Sequence, residues 1–200
     1  MTYERAMTSL MGGVTLLERA ISYTLGSLHI VTHPAMANPT PCRDWDLRAL
    51  LCHMNDSLLA LQEAIDVGHV DLDTSCDDND PVADPVEDPV AALQARACRL
   101  LGGWTNADSP HVVSIGSQPL TTGIVTSTGA IEVAVHGWDI SRACGLSRSI
   151  PSPIAEEMLE LSPLFVTAAD RPTRFAAPVE VPPWATPGDR LLAFLGRRSY

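Results

Sequence analysis

The sequence predicts an all-α protein built as a four-helix bundle, and three observations lead there. Four long segments repeat their apolar residues at spacings of three and four, the period of a helix with one buried face. One long polar segment, residues 71–89, separates the second from the third, which suits a bundle with a crossover connection. The stretches with strand character are too short to build a core. With 200 residues, 46% of them apolar, the chain can close one sizeable core. It shows no second block of distinct composition, so a single domain over residues 1–200 is expected.

The first helix is predicted over residues 3–30, where Met7, Leu10, Met11, Val14, Leu17, Ile21, Leu25 and Leu28 form one stripe. Pro34, Pro39 and Pro41 then forbid helix, and NPTPCRDWD reads as an extended lead into a second helix capped by Asp46. Leu47, Leu50, Leu51, Met54, Leu58 and Leu61 line that helix. The segment DLDTSCDDNDPVADPVEDP is rich in Asp and Pro, which predicts a mobile, solvated crossover. A third helix is expected over residues 90–104, using Leu93, Ala97, Leu100 and Leu101.

The β-branched residues of HVVSIGSQPLTTGIVTS predict an extended connection or small hairpin. Ser127 or Thr128 can cap the fourth helix, and Gly145 can end it at the C′ position, with Leu146 folding back onto Ile140. A fifth, additional helix is expected over residues 153–168. Residues 171–200 read as a Pro-broken extended segment and a short helix. Val179, Val181, Trp184, Leu191, Leu192, Phe194 and Leu195 make this extension too apolar for solvent, so it should pack on the bundle.

Composition excludes several function classes. The balance of 24 acidic against 13 basic residues gives a net charge of −11, which repels nucleic acid and anionic membrane surfaces. No apolar run reaches a membrane-spanning length. The first twenty residues carry Glu4 and Glu18 and have neither a basic stretch nor a small-residue cleavage site, so a cytoplasmic protein is expected. The odd set Cys42, Cys52, Cys76, Cys98 and Cys144 contains no CxxC and reads as reduced thiols. Cys52 adjoins His53, but neighbours on a helix point about 100° apart, which argues against a catalytic pair.

The chemistry concentrates in GAIEVAVHGWDISRACG, residues 129–145. Glu132 and His136, four apart, share one face of a helix whose other residues are apolar. A carboxylate placed there costs several kcal/mol unless paired or metal-bound. His53 sits about 60° from Leu50 on the helical wheel, at the border of its apolar stripe. Two histidines and a carboxylate from facing helices suit zinc or another borderline divalent ion. The residues equally allow a Glu132–His136 surface pair with His53 used in packing. His29, His33, His69 and His111 fall near helix ends or in loops, where solvated roles are usual. Trp138 and Trp45 read as structural aromatics, and Asp139 as a group orienting a ligand or accepting from Arg142 or Arg48.

Three stretches resemble one family. TPCRDWDLRALLCHM is similar to the TPC-x-x-W-x-x-x-x-L-x-x-H lead into the second helix of the mycothiol-dependent maleylpyruvate isomerase-like branch of the DinB-like superfamily. EVAVHGWDISRACG resembles that branch's E-x-x-x-H-x-W-D segment, and PVEVPPWATPGDRLLAFLGR the closing motif of its short members. The resemblance implies a DinB-like four-helix bundle whose metal ligands correspond to His53, Glu132 and His136, and its matched motif includes Asp139. It also implies a divalent cofactor, zinc first with nickel or iron as alternatives, and mycothiol as the thiol cofactor. The activity expected from it is thiol- or water-assisted isomerisation or transfer on a small-molecule substrate. A homodimer is an open expectation, which the sequence does not decide. The competing reading is a non-catalytic bundle, stapled by its metal, that binds a small ligand or a partner.

Overall fold

The computed structural model describes residues 12–42, 45–70, 88–103, 112–171 and 174–199. Six α-helices carry the fold among these residues: α1 (Gly13–Leu28), α2 (Leu47–Asp66), α3 (Pro89–Gly103), α4 (Thr122–Ala143), α5 (Ser152–Phe165) and α6 (Pro187–Phe194). The order and type of these helices follow the sequence pattern. A small sheet adds β1 (His69–Val70), β2 (Val112–Ile115) and β3 (Gln118–Thr121), with β1 parallel to β2 and β2 antiparallel to β3. Residues 3–11 of the first predicted helix, most of the acidic crossover, Trp104 and His111 lie outside the described residues.

Helix α4 runs through the middle of the bundle, and this position explains its composition. Thr126, Ser127, Ala130, Ala134, Ile140 and Ser141 are all buried, so the helix is enclosed on nearly every side. α1 packs most extensively against it, α2 pairs with α3 and touches α4, and α5 bridges α4 to α6. The approach of α1 to α4 is close because Gly137 has no side chain. A Cβ there would lie 2.3 Å from Thr24 Oγ1, the hydroxyl that donates to the Val133 carbonyl at 2.8 Å.

Local chemistry sets the helix ends. Asp46 caps α2 by accepting from the Ala49 N–H at 2.8 Å, and Asp88 caps α3 through the N–H groups of Val90 and Ala91. Gly145, at φ +77°, ends α4: its N–H reaches the Arg142 carbonyl and the Leu146 N–H the Ser141 carbonyl, which is the Schellman pattern. The Leu146 side chain is half-exposed.

The start of α4 departs from the sequence reading. Thr121 is the N-cap, accepting from the Ile124 N–H, whereas Ser127 is buried inside the helix. The β-branched residues that looked extended form its first turns instead, because packing against α1 outweighs their intrinsic preference. The preceding hairpin ends at Thr121 and turns at Gly116, whose φ is +57°.

Residues 174–199 return to the bundle. Leu191, Leu192 and Leu195 are buried, and the Val179 N–H donates to the Ala193 carbonyl at 2.9 Å. Arg171 donates to the carbonyls of Ala176 and Phe194 and lies over the Phe194 ring. Trp184 contradicts the expectation of burial, being 83% exposed. Arg190 donates to the carbonyls of Pro183 and Ala185 on either side of it, which fixes this proline-rich turn with its indole facing solvent.

Candidate metal centre

His53 enters the site from the edge of α2, between the buried residues Leu50, Leu51 and Met54. Glu132 and His136 come from successive turns of one face of α4. The bundle brings the three together: His53 Nε2 lies 2.7 Å and His136 Nε2 3.1 Å from the same oxygen, Glu132 Oε1. One ligand-type atom from each residue falls within 4.8 Å of the others. His29, His33 and His69 are exposed and stand apart from the cluster.

Behind His136 lies a second set of contacts. His136 Nδ1 donates to Asp139 Oδ2 at 2.9 Å, and Asp139 is fully buried. Its carboxylate accepts from Arg197 through Nη2 at 2.7 Å and through Nε at 3.0 and 3.1 Å. Arg197 therefore ties the end of the chain to the centre of α4. Arg142, one of the partners suggested by sequence for Asp139, instead donates to Ser147 and lies over the Trp138 ring. The nearest sequence signal for Arg197 was its place as the last residue of the closing motif.

These contacts fix the protonation of the cluster. Burial pushes the Glu132 carboxyl up, but the charge of His136 and the hydrogen bonds from both histidines outweigh it and hold the group well below the usual carboxylate range. Burial pulls His136 down, yet Glu132 and Asp139 accept from both ring nitrogens and raise its pKa from 6.5 to about 9. Asp139 is likewise held low against the effect of burial, by Arg197 and by the bond from His136. In the absence of a cation, the two flanking carboxylates favour the charged form of His136.

The donor set fits a divalent ion. The three donor atoms all lie within 4.8 Å of one another, and Glu132 Oε1 is 2.7 and 3.1 Å from the two imidazole nitrogens, so one borderline divalent ion would be within reach of two imidazoles and a carboxylate. Asp139 holds the Nδ1 proton of His136 and leaves Nε2 facing the cluster, the arrangement by which carboxylates orient metal-binding histidines. His53 and Glu132 are about one-third exposed, so one flank of the cluster is open to small molecules.

Trp45 packs against the core, in keeping with the structural role its sequence context predicts, and it also reaches the cluster. Its ring lies 4.5 Å from that of His53 and 6.2 Å from that of His136, centroid to centroid, so it borders the site itself. Trp138 is a buried core aromatic, as its sequence context suggests.

A family model described as the mycothiol maleylpyruvate isomerase N-terminal domain matches residues 17–141. The chain belongs to this family, a branch of the DinB-like superfamily. The matched span runs from α1 to the end of α4 and includes His53, Glu132, His136 and Asp139, while Arg197 lies beyond it. No curated protein and no solved structure matches the chain. No helix among the described residues is long and apolar enough to cross a membrane.

Proposed function

We propose that the protein is a cytoplasmic metal-dependent enzyme of the mycothiol-dependent isomerase type, acting on a small molecule by thiol- or water-assisted isomerisation or transfer. The observation that carries this reading is the convergence of His53, Glu132 and His136 on one point, with His136 already oriented by Asp139. Zinc is the ion best suited to two imidazoles and a carboxylate, with nickel or iron as alternatives. A divalent ion held there lowers the pKa of a thiol or water at its open position and polarises an electrophile.

The chain's own residues have separable tasks. Glu132 supplies the carboxylate between the two imidazoles. Asp139 keeps the Nδ1 proton of His136 and thereby fixes its tautomer. Arg197 neutralises Asp139, so that a buried carboxylate is available for this work. The family match supports mycothiol as the thiol.

The deciding experiment is elemental analysis of protein purified without a polyhistidine tag and without added metal, followed by cobalt substitution and titration with mycothiol. About one divalent ion per chain and a thiol-dependent change in the cobalt spectrum are expected. Stoichiometric metal with no response to thiol or to water exchange would assign the ion a structural role in a non-catalytic bundle. Protein that takes up no divalent ion would refute both readings.

A further inference from the structure

The two histidines of the cluster are held by different means. His136 is fixed at both nitrogens, by Glu132 and by Asp139. His53 is fixed only at Nε2, by Glu132, and its Nδ1 has no hydrogen-bond partner among the described residues. Its side chain is 36% exposed, and an imidazole turns about χ2 in a broad, shallow well. A metal-binding histidine is ordinarily oriented through its second nitrogen, so some other contact must orient this one.

That contact is the Trp45 indole, 4.5 Å from the His53 ring at an interplanar angle of 44°. The indole is itself held by its backbone. The Thr40 N–H and hydroxyl both donate to the Trp45 carbonyl, at 3.2 and 2.9 Å, and the Trp45 N–H donates to the Cys42 carbonyl. The same loop is tied to both helices of the site. The Leu47 N–H, at the start of α2, donates to the Asn38 carbonyl, and Asn38 Nδ2 donates to the Ala143 carbonyl at the end of α4. Thus the segment that presents Trp45 is referenced to α2 and α4 together.

We infer that Trp45 is a positioning residue of the metal centre: its ring face takes, for His53, the orienting role that Asp139 takes for His136. The indole blocks rotation of the imidazole away from Glu132 and covers the flank of the cluster that it shares with His136. This inference rests on the metal-site reading, but it concerns a residue outside the ligand set. It predicts that aromaticity at position 45 governs ion affinity, and that bulk alone does not.

The test compares cobalt affinity and metal-free melting temperature in the wild type, Trp45→Phe and Trp45→Leu. Phenylalanine keeps a flat ring, whereas leucine fills the space without one. Trp45→Phe should bind cobalt within about threefold of the wild type, and Trp45→Leu about tenfold more weakly, at the lower end of the loss seen when a group orienting a metal ligand is removed. The two variants should melt within a few degrees of each other when metal-free. Equal affinities in all three proteins, or Phe as weak as Leu, would overturn the positioning role while leaving the metal site intact. A wild type that binds no cobalt would instead refute the metal-site reading on which it stands.

Discussion

Replacement of Arg197 by Met should loosen the centre of α4 from a distance of 58 residues in sequence. Arg197 delivers three hydrogen bonds to Asp139, which is fully buried, and its own side chain is 11% exposed. Removing one partner of a buried pair costs about 3–5 kcal/mol, because the remaining charge is left uncompensated. The lower end applies here, since the His136 imidazolium still faces the other side of the Asp139 carboxylate. At roughly 2–4 °C per kcal/mol for a chain of this size, the metal-free protein should melt about 6–12 °C lower. Thermal denaturation followed by circular dichroism at neutral pH measures this. The double variant Asp139→Asn/Arg197→Met should recover part of the loss, because it removes the stranded charge along with its partner. A shift smaller than about 2 °C in the single variant, or a double variant as unstable as the sum of the singles, would show that the pair does not hold the C-terminal residues onto the bundle.

Other consequences can be checked separately. His53→Ala, Glu132→Ala and His136→Ala should each lower metal content, while His69→Ala, on the exposed face of β1, should not; elemental analysis decides. Gly137→Ala should destabilise by about 1–3 kcal/mol through overpacking, because its Cβ would sit 2.3 Å from Thr24 Oγ1, and a denaturant midpoint unchanged from the wild type would contradict the close approach of α1 to α4. The metal-free protein should lose stability as pH rises: the His136 pKa is raised from 6.5 to about 9, so the contribution of its charge is complete below pH 6.5 and disappears through about pH 9. With one pKa unit worth about 1.4 kcal/mol, the loss is on the order of 3 kcal/mol, and a melting temperature flat over this range would argue against a charged His136.

How much was legible in the sequence depended on how local the cause was. Caps such as Asp46 and Gly145 act on backbone groups within a few residues, and both were found from residue type alone. The grouping of His53, Glu132 and His136 could be suggested from periodicity, because a carboxylate in an apolar helix requires a partner, but the choice between a surface pair and a shared site needed the packing of α2 on α4. Arg197 was missed as the partner of Asp139 because no periodic pattern links residues so far apart, and Arg142 and Arg48 were nearer in sequence to the two halves of the site. The start of α4 was misplaced for the opposite reason. Local preference favoured strand for Thr122, Ile124 and Val125, and packing of α4 on α1, which buries Val125 and Thr126, overrode it. Trp184 was misread because apolar character predicts burial only on average, while the carbonyl clamp from Arg190 fixes its exposure.

The charges of the cluster bear on what its open flank would accept. In the metal-free protein, Glu132 and Asp139 carry negative charge and His136 and Arg197 positive charge, so these four groups balance. On the proposed reading, a divalent ion would need a neutral imidazole at His136, so a proton would be given up and two positive charges would replace one. The same groups would then carry one net positive charge in a site where burial makes imbalance costly. An anionic donor, whether thiolate or hydroxide, would restore the balance, while a neutral donor would not. The preference therefore follows from Arg197 as much as from the ligands. Without that arginine the loaded cluster would already be neutral, and the pull on a thiolate would weaken. On the proposed reading, Arg197→Met should reduce the affinity of the metal-loaded protein for a thiol more than its affinity for the ion, and an equal loss of both would place the arginine's role in stability alone.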